Sequence, residues 1–169
     1  MRQARGFTLT EVLIVVLVLS ISAMVIVPLA GSDELTDLRA AAELLAADIE
    51  EVQARNLASP EAPTSLVTSA QLDGWHLARA DAPGEPLEGI DGRPRTRSFG
   101  SGALATADSL RLVPPPLPTD GLRFDDQGAP LMQEAEILFR ILGTDTGSSA
   151  EVSLSSATGR VSVTMLSTD

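Results

Sequence analysis

Glu11 is a carboxylate inside an otherwise apolar run, four residues beyond Phe7 in Phe7-Thr8-Leu9-Thr10-Glu11 and directly before Val12-Leu13-Ile14-Val15-Val16-Leu17-Val18-Leu19. The chemistry open to it is ion pairing at low dielectric. A lone Asp at the centre of a membrane helix costs roughly 2.5–3.5 kcal/mol on insertion scales, and less near the interface. A charge kept in such a place calls for a named partner. The candidate is a free amino group on Phe7, which exists only if the chain is cut between Gly6 and Phe7.

The other residues that could do chemistry read more plainly. His76 is the sole histidine and the chain has no cysteine, so no common metal site can be completed around it. Trp75 reads first as a core residue and only second as an interaction anchor. Asp120, Asp125, Asp126 and Gln127 are oxygen-rich, but their spacing is not that of a calcium loop, and turn chemistry accounts for them. Ser98-Phe99-Gly100-Ser101-Gly102 is not a nucleophile elbow, and no base stands beside it. Phosphate-cradling glycine patterns are absent. These patterns lead to no catalytic residue, no metal and no cofactor, and the chain reads as a non-enzyme.

The elements that must position Glu11 begin with a span. Phe7 to Leu29 contains no charge besides Glu11. As helix it is about 34 Å long, enough for a hydrocarbon core of roughly 30 Å. Arg2 and Arg5 precede it, while Asp33, Glu34 and Asp37 follow, so the positive-inside rule places the N-terminus in the cytoplasm and the C-terminal part outside. A removable secretory signal is the plainer alternative. Against it stand the length of the run, the charge within it and the proline in Pro28-Leu29-Ala30, where a cleavage site needs a small residue.

The composition is acidic, with 12 basic residues, all arginine, against 23 Asp and Glu and a net charge of −11. Loss of Arg2 and Arg5 with a leader would leave −13, a surface that argues against general nucleic-acid binding.

Leu35, Leu38, Ala42, Leu45, Ile49 and Val52 form the stripe of an amphipathic helix, with Asp37, Arg39, Glu43, Asp48, Glu50 and Glu51 on its other faces. The stripe is expected to cover a sheet of the same domain rather than form a coiled coil. The two segments read as one helix of about 50 residues, kinked at Pro28, weakened by Gly31-Ser32-Asp33 and stopped by Ser59-Pro60. Strands are expected at 65–68, 75–79, 109–113, 121–124, 135–142, 151–155 and 160–165. The last two read as the clearest hairpin, closed by Thr158-Gly159. Residues 81–108 read as a long variable excursion.

With these elements placed, Gly6, Phe7-Thr8-Leu9-Thr10-Glu11 and the apolar helix resemble the cleavage and methylation motif of type IV pilins and type II secretion pseudopilins. Pro28 falls where many members carry a helix-breaking proline. Asp73-Gly74-Trp75-His76-Leu77, Gly121-Leu122-Arg123-Phe124-Asp125-Asp126-Gln127-Gly128 and Ser156-Ala157-Thr158-Gly159-Arg160-Val161 resemble, more loosely, the GspH/FimT branch of minor subunits. Residues 81–108 fall outside the resemblance.

The resemblance implies an α+β pilin-like fold: a long N-terminal helix, half transmembrane and half amphipathic, packed on an antiparallel β-sheet domain. The corresponding segments are a leader at 1–6, a membrane and assembly helix at 7–29, an amphipathic half at 30–59 and a β-rich domain at 60–169. It implies cleavage by prepilin peptidase after Gly6 and methylation of the Phe7 amine. The implied partners are other pseudopilins, the inner-membrane assembly platform and secreted substrates. The implied place is the bacterial inner membrane, with the C-terminal domain in the periplasm and incorporation into a pseudopilus. In such a bundle Glu11 would meet the Phe7 ammonium of a neighbour. The alternative is a minor type IV pilin of the FimT kind that takes up DNA, for which Arg93, Arg95 and Arg97 are the one basic cluster. A third reading is an anchored β-domain with no filament role.

Overall fold

The computed structural model describes residues 9–29, 34–132 and 134–166, with side chains described from 9 to 20 and from 34 onward. The chain forms two compact units, Met1–Ser32 and Asp33–Asp169. The first contains helix α1, Leu9–Leu29. The second opens with helix α2, Glu34–Ala58, which ends just before Ser59-Pro60, where the pre-proline residue is pushed out of the helical region. The expected 50-residue helix is thus described as two helices. Residues 30–33, where they would join, lie outside the described residues.

Two four-stranded antiparallel sheets complete the second unit, giving the expected α+β, pilin-like architecture. In the first, β1 (Thr64–Thr68) pairs β2 (Gly74–Arg79), which carries β3 (Ala82–Pro86) and β4 (Thr96–Ser98) along its other side. The second runs β5 (Leu110–Val113), β6 (Glu136–Gly143), β7 (Ser149–Ser155) and β8 (Val161–Leu166) in sequence order.

Helix α2 packs against strands of both sheets, β1 from the first and β6, β7 and β8 from the second. Its stripe explains why. Leu38, Ala42, Leu45, Ile49 and Val52 are fully buried against Leu66, Leu77, Phe139, Ile141, Val152 and Leu154. Burying each large aliphatic side chain contributes roughly 1.5–3 kcal/mol, which fixes the helix on the sheets. Leu35, at the start of the stripe, stays 42% exposed. In β6 and β7 buried and accessible residues alternate, as strands with one face on a core must.

The structure corrects two expectations in this unit. Residues 121–124 form no strand; they contribute the isolated bridges Leu66↔Leu122 and Phe124↔Pro130. The excursion at 81–108 is ordered structure: β3, β4 and a 3-10 turn at Gly102–Leu104. Its Pro and Gly content masked short strands that are held by neighbours rather than by their own propensity. Gly74 shows how closely they pack, since a Cβ there would lie 1.9 Å from the backbone oxygen of Arg97. The hairpin turn before it is carried by Leu72 in the left-handed region, at φ 61°.

Candidate assembly site and its anchorage

In α1 every described side chain from Leu9 to Ser20 is exposed, and the large apolar ones from Leu9 to Leu19 are 53–86% accessible. No face is distinguished as polar. A helix that is apolar all round is at home only in lipid or among other apolar helices. Glu11 sits in the first turn, where the helix dipole favours negative charge. Ser20 turns its hydroxyl back to the carbonyl of Val16 at 2.8 Å, which satisfies it without water. Pro28 lies in the last turn of α1, one residue before its end. Gly6 and Phe7, the expected cleavage and methylation residues, lie outside the described residues.

Among the described residues no helix is long and apolar enough to cross a membrane. The described side chains of α1 reach only Ser20, although its backbone stays helical to Leu29. The spanning role expected of 7–29 therefore rests on the sequence.

The globular unit is tied to the N-terminal end of α2 by a carboxylate that the sequence reading left among the residues following the span. Glu34, the first residue of α2, is buried and accepts hydrogen bonds from the hydroxyl of Thr146, the backbone N–H of Asp145 (2.9 Å) and of Thr146 (3.0 Å), and the Ser109 hydroxyl (3.1 Å). Gly143 makes room for it, since a Cβ there would fall 2.1 Å from Glu34 Oε1. The Thr146 hydroxyl, with the two backbone donors and Ser109, holds the Glu34 carboxyl below its ordinary value of 4.5, against the opposing effect of burial.

This lowering sets a sign. The anchor's contribution is complete at neutral pH, above the unfolded value, and is lost as pH falls through the lower folded value. Glu34→Gln is expected to lower the urea midpoint of the globular unit at pH 7. Below pH 4.5 the difference from the native chain should shrink towards zero. A gap independent of pH would refute the anchor's ionic character.

A second polar cluster holds the middle of α2. Asp48 was expected on a polar face, yet it is 3% exposed. Its Oδ2 accepts from the Trp75 indole N–H at 2.8 Å and from Arg97 Nε at 3.1 Å. Trp75 itself is buried, edge-on to Phe99 with centroids 6.1 Å apart, in the core role expected of it. The spacing held a signal for Asp48: it lies three residues after Leu45 and four before Val52, within the stripe.

The lower end of α2 is held by amides. Asn56 accepts from the N–H of Thr64 at 2.7 Å and donates to its carbonyl at 3.0 Å, while Gln53 donates to the Gly128 carbonyl at 2.7 Å. Gly159, at φ 63°, lies so close to that contact that a Cβ would sit 2.1 Å from Gln53 Nε2.

The remaining sequence candidates fall into structural roles. His76 Nε2 lies 2.9 Å from the carbonyl of Pro83. Asp125 accepts from the backbone N–H groups of Gln127 and Ala129, an Asx-type turn, and Asp120 pairs with Arg123 at 2.7 Å. Among the described residues no group of acidic or histidine side chains is arranged to hold a metal ion. Two of the basic cluster are engaged internally, Arg95 with Glu51 and Arg97 with Asp48, while Arg93 stays 85% exposed, 4.0 Å from Asp91.

Residues 1–27 match the family model described as the prokaryotic N-terminal methylation motif. The match includes Gly6, Phe7 and Glu11 and ends within α1, so it covers none of the globular unit. This motif is the signal carried by membrane-anchored, pilin-like proteins that prepilin peptidase processes and that assemble with other pilins as structural subunits. No curated protein and no solved structure matches the chain.

Proposed function

We propose that, behind its N-terminal methylation motif, the chain is a minor pseudopilin of the type II secretion system. The observation that carries the assembly role is α1: a helix apolar on every described face, with one carboxylate in its first turn. Prepilin peptidase cuts after Gly6, and the new Phe7 amine is methylated. Residues 7–29 hold the subunit in the inner membrane until its helix joins the bundle of a periplasmic pseudopilus. There Glu11 pairs with the Phe7 ammonium of a neighbouring subunit, so that burial of both charges acts as a check on register. Pro28 loosens the exit from the membrane-spanning segment. The globular unit meets partner subunits and secreted proteins.

DNA uptake by a FimT-like pilin needs several cations free to neutralise phosphate. The internal pairing of Arg95 and Arg97 leaves Arg93 as the one exposed cation of that cluster and favours the secretion reading.

The test is deletion of the gene in its own host, followed by complementation. Proteins destined for the medium should accumulate in the periplasm, and pilus-dependent DNA uptake should continue. Loss of DNA uptake with secretion intact would reverse the assignment.

A further inference from the structure

The sheets of the globular unit have unequal edges. β1 is covered where Leu66 and Leu122 exchange backbone hydrogen bonds of 2.9–3.0 Å. β3 carries Pro83, Glu85 and Pro86, and β4 is only three residues long. β5 runs into Pro114-Pro115-Pro116, and the N–H of Leu112 is taken by the Leu72 carbonyl at 2.9 Å. Prolines, charges, short strands and covering loops are the usual protections of a sheet edge.

Among the described residues, β8 has none of them. Val161-Ser162-Val163-Thr164-Met165-Leu166 is uncharged, free of proline and in unbroken register with β7. Among the described residues no strand pairs with its outer side. The direction of its outer backbone groups follows from the hairpin. The Arg160 carbonyl accepts from the Ser155 N–H at 3.0 Å, so it faces β7. Alternation then turns Ser162, Thr164 and Leu166 towards β7 as well. Val161, Val163 and Met165 therefore point their N–H and C=O groups outward.

Beside this edge a groove of about 490 Å³ opens between the start of α2 and the end of β8, lined by Leu35, Thr36, Arg39, Met165 and Leu166. Leu35, Met165 and Leu166 are about 40% exposed there.

We propose that the β8 edge and this groove receive an extended segment of a partner protein by strand addition, with alternating apolar side chains and basic flanks. The outward backbone groups specify an extended chain, and the groove takes the side chains on one of its faces. Charge specifies the flanks. The chain carries −11 overall, and Arg39, the one charged residue among the described residues lining the groove, is already paired with Glu43 at 2.9 Å. A second copy would bring a second charge of −11, so the strand comes from a different chain.

The test uses the full-length chain in detergent and a fluorescein-labelled synthetic peptide of alternating valine and threonine, flanked by lysines. Fluorescence polarisation should show saturable binding, weakened about tenfold or more when the flanks are glutamate. Val163→Pro deletes an outward N–H that the ladder to β7 does not use, so it should keep the native melting temperature and weaken binding by about tenfold or more. Met165→Lys, a charge on the edge facing the groove, should do the same without touching the backbone. The proposal is overturned if the native chain shows no saturable binding, or if either variant folds and binds as the native chain does. Equal binding of the glutamate-flanked peptide overturns it as well. So does a dimer of the chain that Val163→Pro dissolves, since the edge then serves a second copy.

Discussion

Glu11→Ala is expected to remove the subunit from the assembled filament while leaving its globular unit folded. In the proposed bundle the alanine leaves a neighbour's Phe7 ammonium buried without its counter-charge. Breaking a buried pair in this way costs about 3–5 kcal/mol, or roughly a hundredfold or more in incorporation. Glu11→Gln keeps the shape and one hydrogen bond but not the charge, and should fall between the two. The readout is the fraction of chain recovered in sheared filaments against the fraction left in the membrane. Among the described residues the buried core is built from Leu38 onward, so its thermal unfolding should not move. Normal recovery of the alanine variant in filaments would sink the Phe7–Glu11 pairing.

The second large effect is expected at Asp48. Asp48→Ala strands the Trp75 indole N–H and the Arg97 guanidinium, both of which now meet a buried carboxylate. The loss should be about 3 kcal/mol in denaturant unfolding, the lower end for a buried pair, because Arg97 keeps a quarter of its side chain accessible. Asp48→Asn retains an acceptor for Trp75 and should lose less. Arg97→Ala in the Asp48→Ala background should cost little further, since the two groups act as one unit. Additive losses would show that the contact carries no coupling.

Local chemistry made much of this legible in advance. The α2 stripe, the stop at Ser59-Pro60 and the β7–β8 hairpin are all written in periodicity and turn residues, which depend on near neighbours in the chain. The interior of the 81–108 segment was not. β3 and β4 exist because β2 offers backbone partners, and their Pro-rich sequences would not be extended strands alone. Residues 121–124 failed in the other direction: strand-like residues that find only single bridges to Leu66 and Pro130.

The candidate site divides along the same line. The sequence alone determined the apolar segment, the charge within it and the motif around Gly6, Phe7 and Glu11, because an apolar run and a short motif are properties of consecutive residues. Only the tertiary structure decided that Glu34 anchors the start of α2, that Asp48 is buried against Trp75, that Arg95 and Arg97 are spent on α2, and that, among the described residues, β8 is the edge left without protection. Those facts join residues tens of positions apart, from Glu34 to Thr146 and from Asp48 to Arg97. Such contacts are selected by the packing of one helix on two sheets, and no local pattern carries that information.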